Sequence, residues 1–383
     1  MPSISKKIHL YLSIPFGLLI TVICATGAML ALQSDIIRML NLDYYYITPD
    51  GAKPMEVDEI VKMVKDSIPA TAKIAGMEIS ADPHTSYRVK LSDTDHSTVF
   101  VNQYTGQILG IRGETKFFAT VKRLHRTLLD SRPASDKTFH GKYITGLTAI
   151  SLAVIVITGL IIWLPAKHHG KWKILTRPAS SGLHKFNFTL HGVAGTYASI
   201  FLLAMSLTGL TWSYQWYRIA FYNLFGAVAP VQKKSSHIDM LPDDPKLSAE
   251  IAHGWTRVFH HLDAAENGYD LVALSPNHAS GYYSSDKNSR ARDFYTFEDN
   301  GEIKNAELYR DAPVDKKLQG WIYAIHTGSF GGIFTRIIWA LAALTGALLP
   351  IGGYIIWWKR ITPTHGAHRC SDGCNKALKS DSR

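Results

Sequence analysis

At 383 residues, 46% of them hydrophobic, the chain has the averages of a soluble two-domain protein, so its class is read from the distribution of residues rather than from composition. The formal charge of +10 gathers around four uncharged stretches and requires neither nucleic acid nor an acidic partner. Three cysteines exclude a disulfide framework.

The first uncharged stretch, Ile8–Ser34, follows Lys6 and Lys7. It exceeds the roughly 7–15 apolar residues of a secretory signal and is long enough for a retained transmembrane helix, which needs about 20; the expected span is 8–34. Residues 35–142 then read as a soluble segment. Val57–Val64 carries apolar residues at i, i+3, i+4 and i+7, which predicts a helix. Tyr87–Leu91 alternates as a strand does, and Thr98–Asn102 with Gln107–Leu109 flanks the glycine turn Tyr104-Thr105-Gly106 as a hairpin. A basic cluster of Lys122, Arg123, Arg126, Arg132, Lys137 and Lys142 closes the segment.

The second uncharged stretch, Tyr143–Ala166, predicts a span over 143–166. The loop 167–185 holds Lys167, Lys171, Lys173, Arg177 and Lys185 with no acid. A third span is expected over 186–217, then a second soluble segment over 218–325 with a helix at Ile251–Leu262, a strand at Phe294–Phe297 and a turn at Asp299–Gly301. The last span is placed at 326–358, with Ile337–Trp358 as its uncharged core, and the basic tail 359–383 follows. Cytoplasmic ends of membrane helices are enriched in Lys and Arg. Lys6, Lys7, the loop and the tail therefore predict cytoplasmic N- and C-termini, a bacterial inner membrane, and two long segments in the periplasm. On the reducing side, Cys370 and Cys374 are not expected to pair; their spacing is wrong for a redox Cys-x-x-Cys, and they lack the company that a closed zinc site needs.

The chain also repeats. His9 precedes Thr26-Gly27 at the spacing by which His191 precedes Thr208-Gly209, while the second and fourth spans carry Thr158-Gly159 and Thr345-Gly346. The expected fold is membrane α-helical, four transmembrane helices in two repeats, with two α+β domains between them. Histidines gather at the helix ends: His9 and His191 on the cytoplasmic side, His125 and His326 on the other. An isolated interfacial histidine is commonly tolerated near headgroups, but two matched pairs point to ligands in a bundle. Paired imidazoles suit a low-spin haem, and the lack of Cys-x-x-Cys-His leaves b-type haem. Metal transport is a weaker competitor, because the spans lack acids. His140 rivals His125, being nearer the second span. Arg126 and the other basic residues before that span fit either lipid headgroups or haem propionates and anionic chelates.

Several motifs together resemble the PepSY-associated transmembrane family of iron-regulated membrane proteins: Lys7-Ile8-His9 with Thr26-Gly27, the stretch from Met55 to Ile60, Val101–Gly110, Leu124-His125-Arg126, Leu190-His191-Gly192 and Ile325-His326-Thr327-Gly328. The resemblance implies PepSY-like periplasmic domains and two haem b groups, on His9 with His191 and on His125 with His326. It also implies reduction of a ferric siderophore with electrons from a cytoplasmic or quinol donor. No nicotinamide or flavin fingerprint supplies them internally. A non-catalytic module whose PepSY-like domains bind peptides or inhibit a protease, and a quinol-linked cytochrome b with another acceptor, are the alternatives.

Overall fold

The computed structural model describes residues 2–49, 51–69, 72–93, 95–130, 140–167, 183–230, 254–264, 268–283, 287–288 and 290–362. Arg132 and Lys137 of the basic cluster, most of the 167–185 loop, and the tail with Cys370 and Cys374 lie outside these. In chain order the helices are α1 (Pro2–Ala31), α2 (Gln33–Met39), α3 (Leu42–Tyr45), α4 (Val57–Ser67), α5 (Lys116–Thr127), α6 (His140–Lys167), α7 (Leu183–Ser213), α8 (Gln215–Leu224), α9 (Trp255–Ala264), α10 (Val314–Thr327) and α11 (Gly332–Ile361). The strands are β1 (Ile74–Ser80), β2 (Tyr87–Leu91), β3 (Thr98–Val101), β4 (Ile108–Arg112), β5 (Leu271–Ser275), β6 (His278–Tyr282), β7 (Arg292–Phe297) and β8 (Ile303–Glu307).

Helices α1, α6, α7 and α11 contain the four stretches long and apolar enough to cross a membrane. They form a ring in which α1 packs on α6 and α11, and α7 on the same two. Their outward faces are apolar, with Leu18 67% and Ile200 69% exposed, as a lipid-facing surface requires. Ile20, Cys24, Ala198, Leu202 and Ala347 form the interior. Small residues bring the backbones close, and polar side chains tie them: the Thr21 hydroxyl donates to the Ala347 carbonyl at 3.0 Å and the Tyr354 hydroxyl to that of Ile14 at 2.6 Å.

The spans differ from their sequence bounds in instructive ways. The third ends at Ser213, Tyr214 is extended, and α8 restarts the chain as a separate helix. His326 does not open the fourth span; it ends α10, and Gly328, at φ 72°, turns the chain toward α11. His125 likewise sits near the end of α5, which Leu128 closes in the left-handed region at φ 52°. Both histidines thus ride on short helices that return to the mouth of the ring.

The two segments between the spans build one eight-stranded antiparallel sheet, ordered β4-β3-β2-β1-β5-β6-β7-β8. β1 and β5 pair at its middle, with Met77 opposite Leu274 and Ile79 opposite Val272. One face is apolar because the strands alternate: Met77, Ile79, Val89, Val99, Val272 and Leu274 point toward α4 and α9. Helix α4 buries Val57, Ile60, Val61 and Val64, one stripe at helical spacing, and places Asp58 and Glu59 in its first turn, where the helix dipole favours acids. The sheet stands at the end of the ring where α1 and α7 finish and α6 and α11 begin. The half-buried Arg336–Asp35 ion pair, at 2.8 Å, ties α11 to α2 there.

Candidate functional site

The ring holds two histidine pairs, one near each end. At the sheet end, His125 from α5 and His326 from α10 have ring centroids 6.3 Å apart, with planes inclined by 59°. At the far end, His9 from α1 and His191 from α7 face each other across the ring at 6.4 Å and 78°. His140, the first residue of α6, is exposed and belongs to neither pair.

Three of the four rings are held through Nδ1 by a neighbouring helix. His125 Nδ1 lies 2.9 Å from the Ile23 carbonyl and 3.1 Å from Thr26 Oγ1. His9 Nδ1 lies 2.9 Å from the Ile155 carbonyl and 3.3 Å from Thr158 Oγ1, and His326 Nδ1 lies 2.9 Å from the Met205 carbonyl and 3.1 Å from Thr208 Oγ1. All three threonine hydroxyls spend their proton on carbonyls of their own helices, so toward the imidazole each is an acceptor. Nδ1 therefore faces two acceptors and must carry the proton. The tautomer is fixed, and Nε2 keeps its lone pair for a metal.

The glycine after each threonine makes the approach possible. A Cβ on Gly27 would stand 3.1 Å from His125 Cε1, one on Gly159 3.2 Å from His9 Cε1, and one on Gly209 3.0 Å from His326 Cε1. The motif is thus a carbonyl at i, a threonine at i+3 and a glycine at i+4, on one face of a helix.

The fourth brace departs from the other three. Thr345-Gly346 does not serve His191: Thr345 bonds the Leu341 carbonyl, and Gly346 packs against Leu202 and Cys24. The matching positions are Leu349, Gly352 and Gly353, seven residues further along. Gly353 approaches His191 Cε1, its Cβ position being 3.6 Å away, and Leu349 offers the carbonyl. Glycine replaces threonine at 352, and the Asn187 amide fills that space, donating to the Gly352 carbonyl at 3.0 Å. His191 Nδ1 is left without a hydrogen bond of ordinary geometry. In the sequence Thr345-Gly346 repeats Thr158-Gly159, yet it is the Gly352-Gly353 doublet that lies against the histidine.

Other side chains finish the sites. Trp212 meets His326 edge-on, with centroids 5.1 Å apart, and Trp163 lies flat on Gly192, its buried Nε1–H unpartnered. Near His125, exposed Arg126 and Arg218 from α8 both act electrostatically on Lys142 at the start of α6. The Arg218 Nε donates to the Thr211 carbonyl at 2.8 Å. Arg218 was missed in the sequence because it lies far from the cluster before α6.

Among the described residues no three histidine, cysteine or acidic side chains converge as a metal site. A metal on these histidines would take two protein ligands and the rest from a non-protein group. Two imidazole nitrogens at about 2.0–2.1 Å from one ion put their ring centroids roughly 6.2 Å apart, close to both observed separations. Each pair would therefore suit a metal whose remaining ligands come from one macrocyclic group.

A family model described as the PepSY-associated TM region matches residues 6–360. Comparison with curated proteins gives no match.

Proposed function

The chain belongs to the PepSY-associated transmembrane family and is a multi-pass membrane protein, and from that premise we propose that it is an inner-membrane di-haem b oxidoreductase delivering electrons to a ferric siderophore in the periplasm. The observation that carries the reading is the pair of facing imidazole couples, 6.3 and 6.4 Å between centroids, with the Nδ1 atoms of three of the four rings tied to carbonyls. His9 with His191 would hold one haem and His125 with His326 the other. Haem bound in this way supplies reversible one-electron exchange between ferric and ferrous iron.

The protein's part is positioning and orientation. The carbonyl and threonine acceptors hold each ring in one tautomer, and their pull on Nδ1–H makes Nε2 a stronger donor. Arg126, Lys142 and Arg218 concentrate positive charge beside His125, suited to haem propionates. The lysine-rich N-terminus and loop favour a cytoplasmic face at the His9 end, so the sheet and the His125 end belong to the periplasm. The reading carries two repeats, each a span, a segment contributing half the sheet, and a returning span. Siderophores hold Fe(III) through hard oxygen ligands that suit Fe(II) poorly, so one electron releases the iron.

The test is a pyridine haemochrome assay and oxidised and reduced visible spectra of detergent-purified protein made with ample haem. About two b-type haems per chain are expected. After reduction, anaerobic mixing with a ferric siderophore and a ferrous-specific chelator should reoxidise the protein as the Fe(II) complex appears. Protein without haem, or reoxidation independent of the ferric complex, would overturn the reading.

A further inference from the structure

We infer that the face of the sheet turned away from α4 and α9, at its middle strands beyond the end that α3 covers, is a binding site for a multiply anionic, aromatic chelate, of the tris-catecholate class. The inference rests on the reductase reading for its role but on separate residues for its chemistry. Strand alternation directs Glu78, Arg88, Lys90, Tyr282, Arg292 and Phe294 away from α4 and α9, and the register sets them side by side: Glu78 is opposite Arg88 across β1 and β2, and Tyr282 opposite Arg292 across β6 and β7. Glu78, Lys90, Tyr282 and Arg292 line a small pocket where the two halves of the sheet join.

A solvated sheet face ordinarily mixes charges of both signs and leaves them in water. Here one carboxylate serves two cations: Glu78 contacts Lys90 and, at 3.2 Å, Arg88. All three are largely covered, with 11%, 24% and 19% of their side chains exposed. The Arg88 Nε–H is buried without a partner, and an unsatisfied charged donor is costly unless a ligand reaches it. Arg292 adds a third positive charge. Its guanidinium lies 4.6 Å from the Phe294 ring centroid and 5.6 Å from that of Tyr282, whose hydroxyl accepts from Nη1 at 2.6 Å. Cation and rings together form a wall on which a flat aromatic anion can stack.

The position suits delivery to the outer histidine pair. Two residues before Arg292, the Arg290 guanidinium stands 4.1 Å from the Tyr323 ring centroid, and Tyr323 precedes His326 by one turn of α10. The start of β7 therefore connects the pocket to the helix that carries His326.

The test uses the full-length haem-loaded protein in detergent and gallium(III) complexes, which bind as their ferric counterparts do but accept no electron from the protein. By titration calorimetry, gallium tris-catecholate, of charge −3, should bind. Arg292→Gln and, separately, Arg88→Gln should each weaken it about ten-fold, with binding falling as salt rises. An unaltered haem spectrum shows that each variant is folded. Neutral gallium tris-hydroxamate should respond little to either change. Failure of the wild-type protein to bind the tris-catecholate, or equal affinity in both variants, overturns the site. If the variants reduce a ferric catecholate with unchanged KM, the site is wrong and the reductase reading survives; if gallium binding is lost in the variants while no ferric complex is ever reduced, the site stands and the reductase reading falls.

Discussion

His125 donates from Nδ1 to the carbonyl of Ile23 at 2.9 Å, and Ile23 lies on the same helix as His9, fourteen residues along it. At about 1.5 Å per residue, α1 therefore spans roughly 20 Å from its own ligand position to the brace it provides for the other pair. The helix α7 does the same with His191 and Met205. The two centres share rigid supports, so their separation is set by helix rise rather than by loops.

Removing single ligands should divide the haem between the two pairs. His9→Ala or His191→Ala is expected to leave one haem, as is His125→Ala or His326→Ala, and His140→Ala is expected to leave both. Haem-to-protein ratios for the five variants check this; loss of haem in His140→Ala would transfer the outer ligand to that residue.

The glycines of the braces should not be equivalent. Alanine at 27, 159 or 209 places a Cβ 3.0–3.2 Å from a histidine Cε1, so the ring must shift and haem retention should fall, by an amount on the order of 10-fold in affinity. Alanine at Gly353, with 3.6 Å of room, should be tolerated. Competition with apomyoglobin measures the difference, and equal losses at all four would refute the bracing role.

Thr208→Val tests the second acceptor. The exchange keeps the shape and leaves the Met205 carbonyl in place, so haem should remain bound. A weaker pull on Nδ1–H makes His326 a poorer electron donor to iron and should raise the outer midpoint potential. A potentiometric titration in which the two haems are resolved should show one of them moved and the other fixed.

Of the four proposed ligands His191 is held least firmly, its Nδ1 lacking a hydrogen bond of ordinary geometry. Carbon monoxide added to dithionite-reduced protein should therefore displace it before any other ligand. The His326→Ala protein, keeping only the inner centre, should show a CO-induced Soret change that His191→Ala protein lacks at its intact outer centre. The opposite pattern would locate the labile ligand in the outer pair.

In the sheet, burial opposes the charge of Glu78, but Arg88 and Lys90 outweigh it and hold the carboxyl below its usual range. A depressed folded pKa gives stability that is present above the unfolded value, about 4.3, and is lost as pH falls through the folded one. Glu78→Gln should destabilise by roughly 1–3 kcal/mol at neutral pH. The gap in melting temperature between variant and wild type should narrow in acid; a constant gap would mean the charge is not the cause.

Much of this was legible in the sequence where periodicity or chemistry is local. The four spans follow from the length of the uncharged stretches, the α4 stripe and the β2 alternation follow from spacing, and β2 occupies Tyr87–Leu91 as expected. The four paired histidines were found because ionisable groups stand out against uncharged helices. β1 was missed, since Ile-Ala-Gly-Met-Glu-Ile-Ser does not alternate cleanly. The joining of two expected domains into one sheet was not legible either, because the β1 edge selects a partner nearly two hundred residues away and nothing in a strand's own pattern names it. The braces were half visible: Thr-Gly was noticed as a repeat, but its meaning lies in which imidazole packs on it.

The β1–β5 pairing also bears on how the chain is made. Strand β1 emerges long before β5, and at about 5–20 residues per second the first four strands wait roughly 10–40 seconds with β1 as an open edge. An unpaired edge is a template for wrong partners. Until the residues around Val272 arrive to close it, the nascent first half carries that edge exposed.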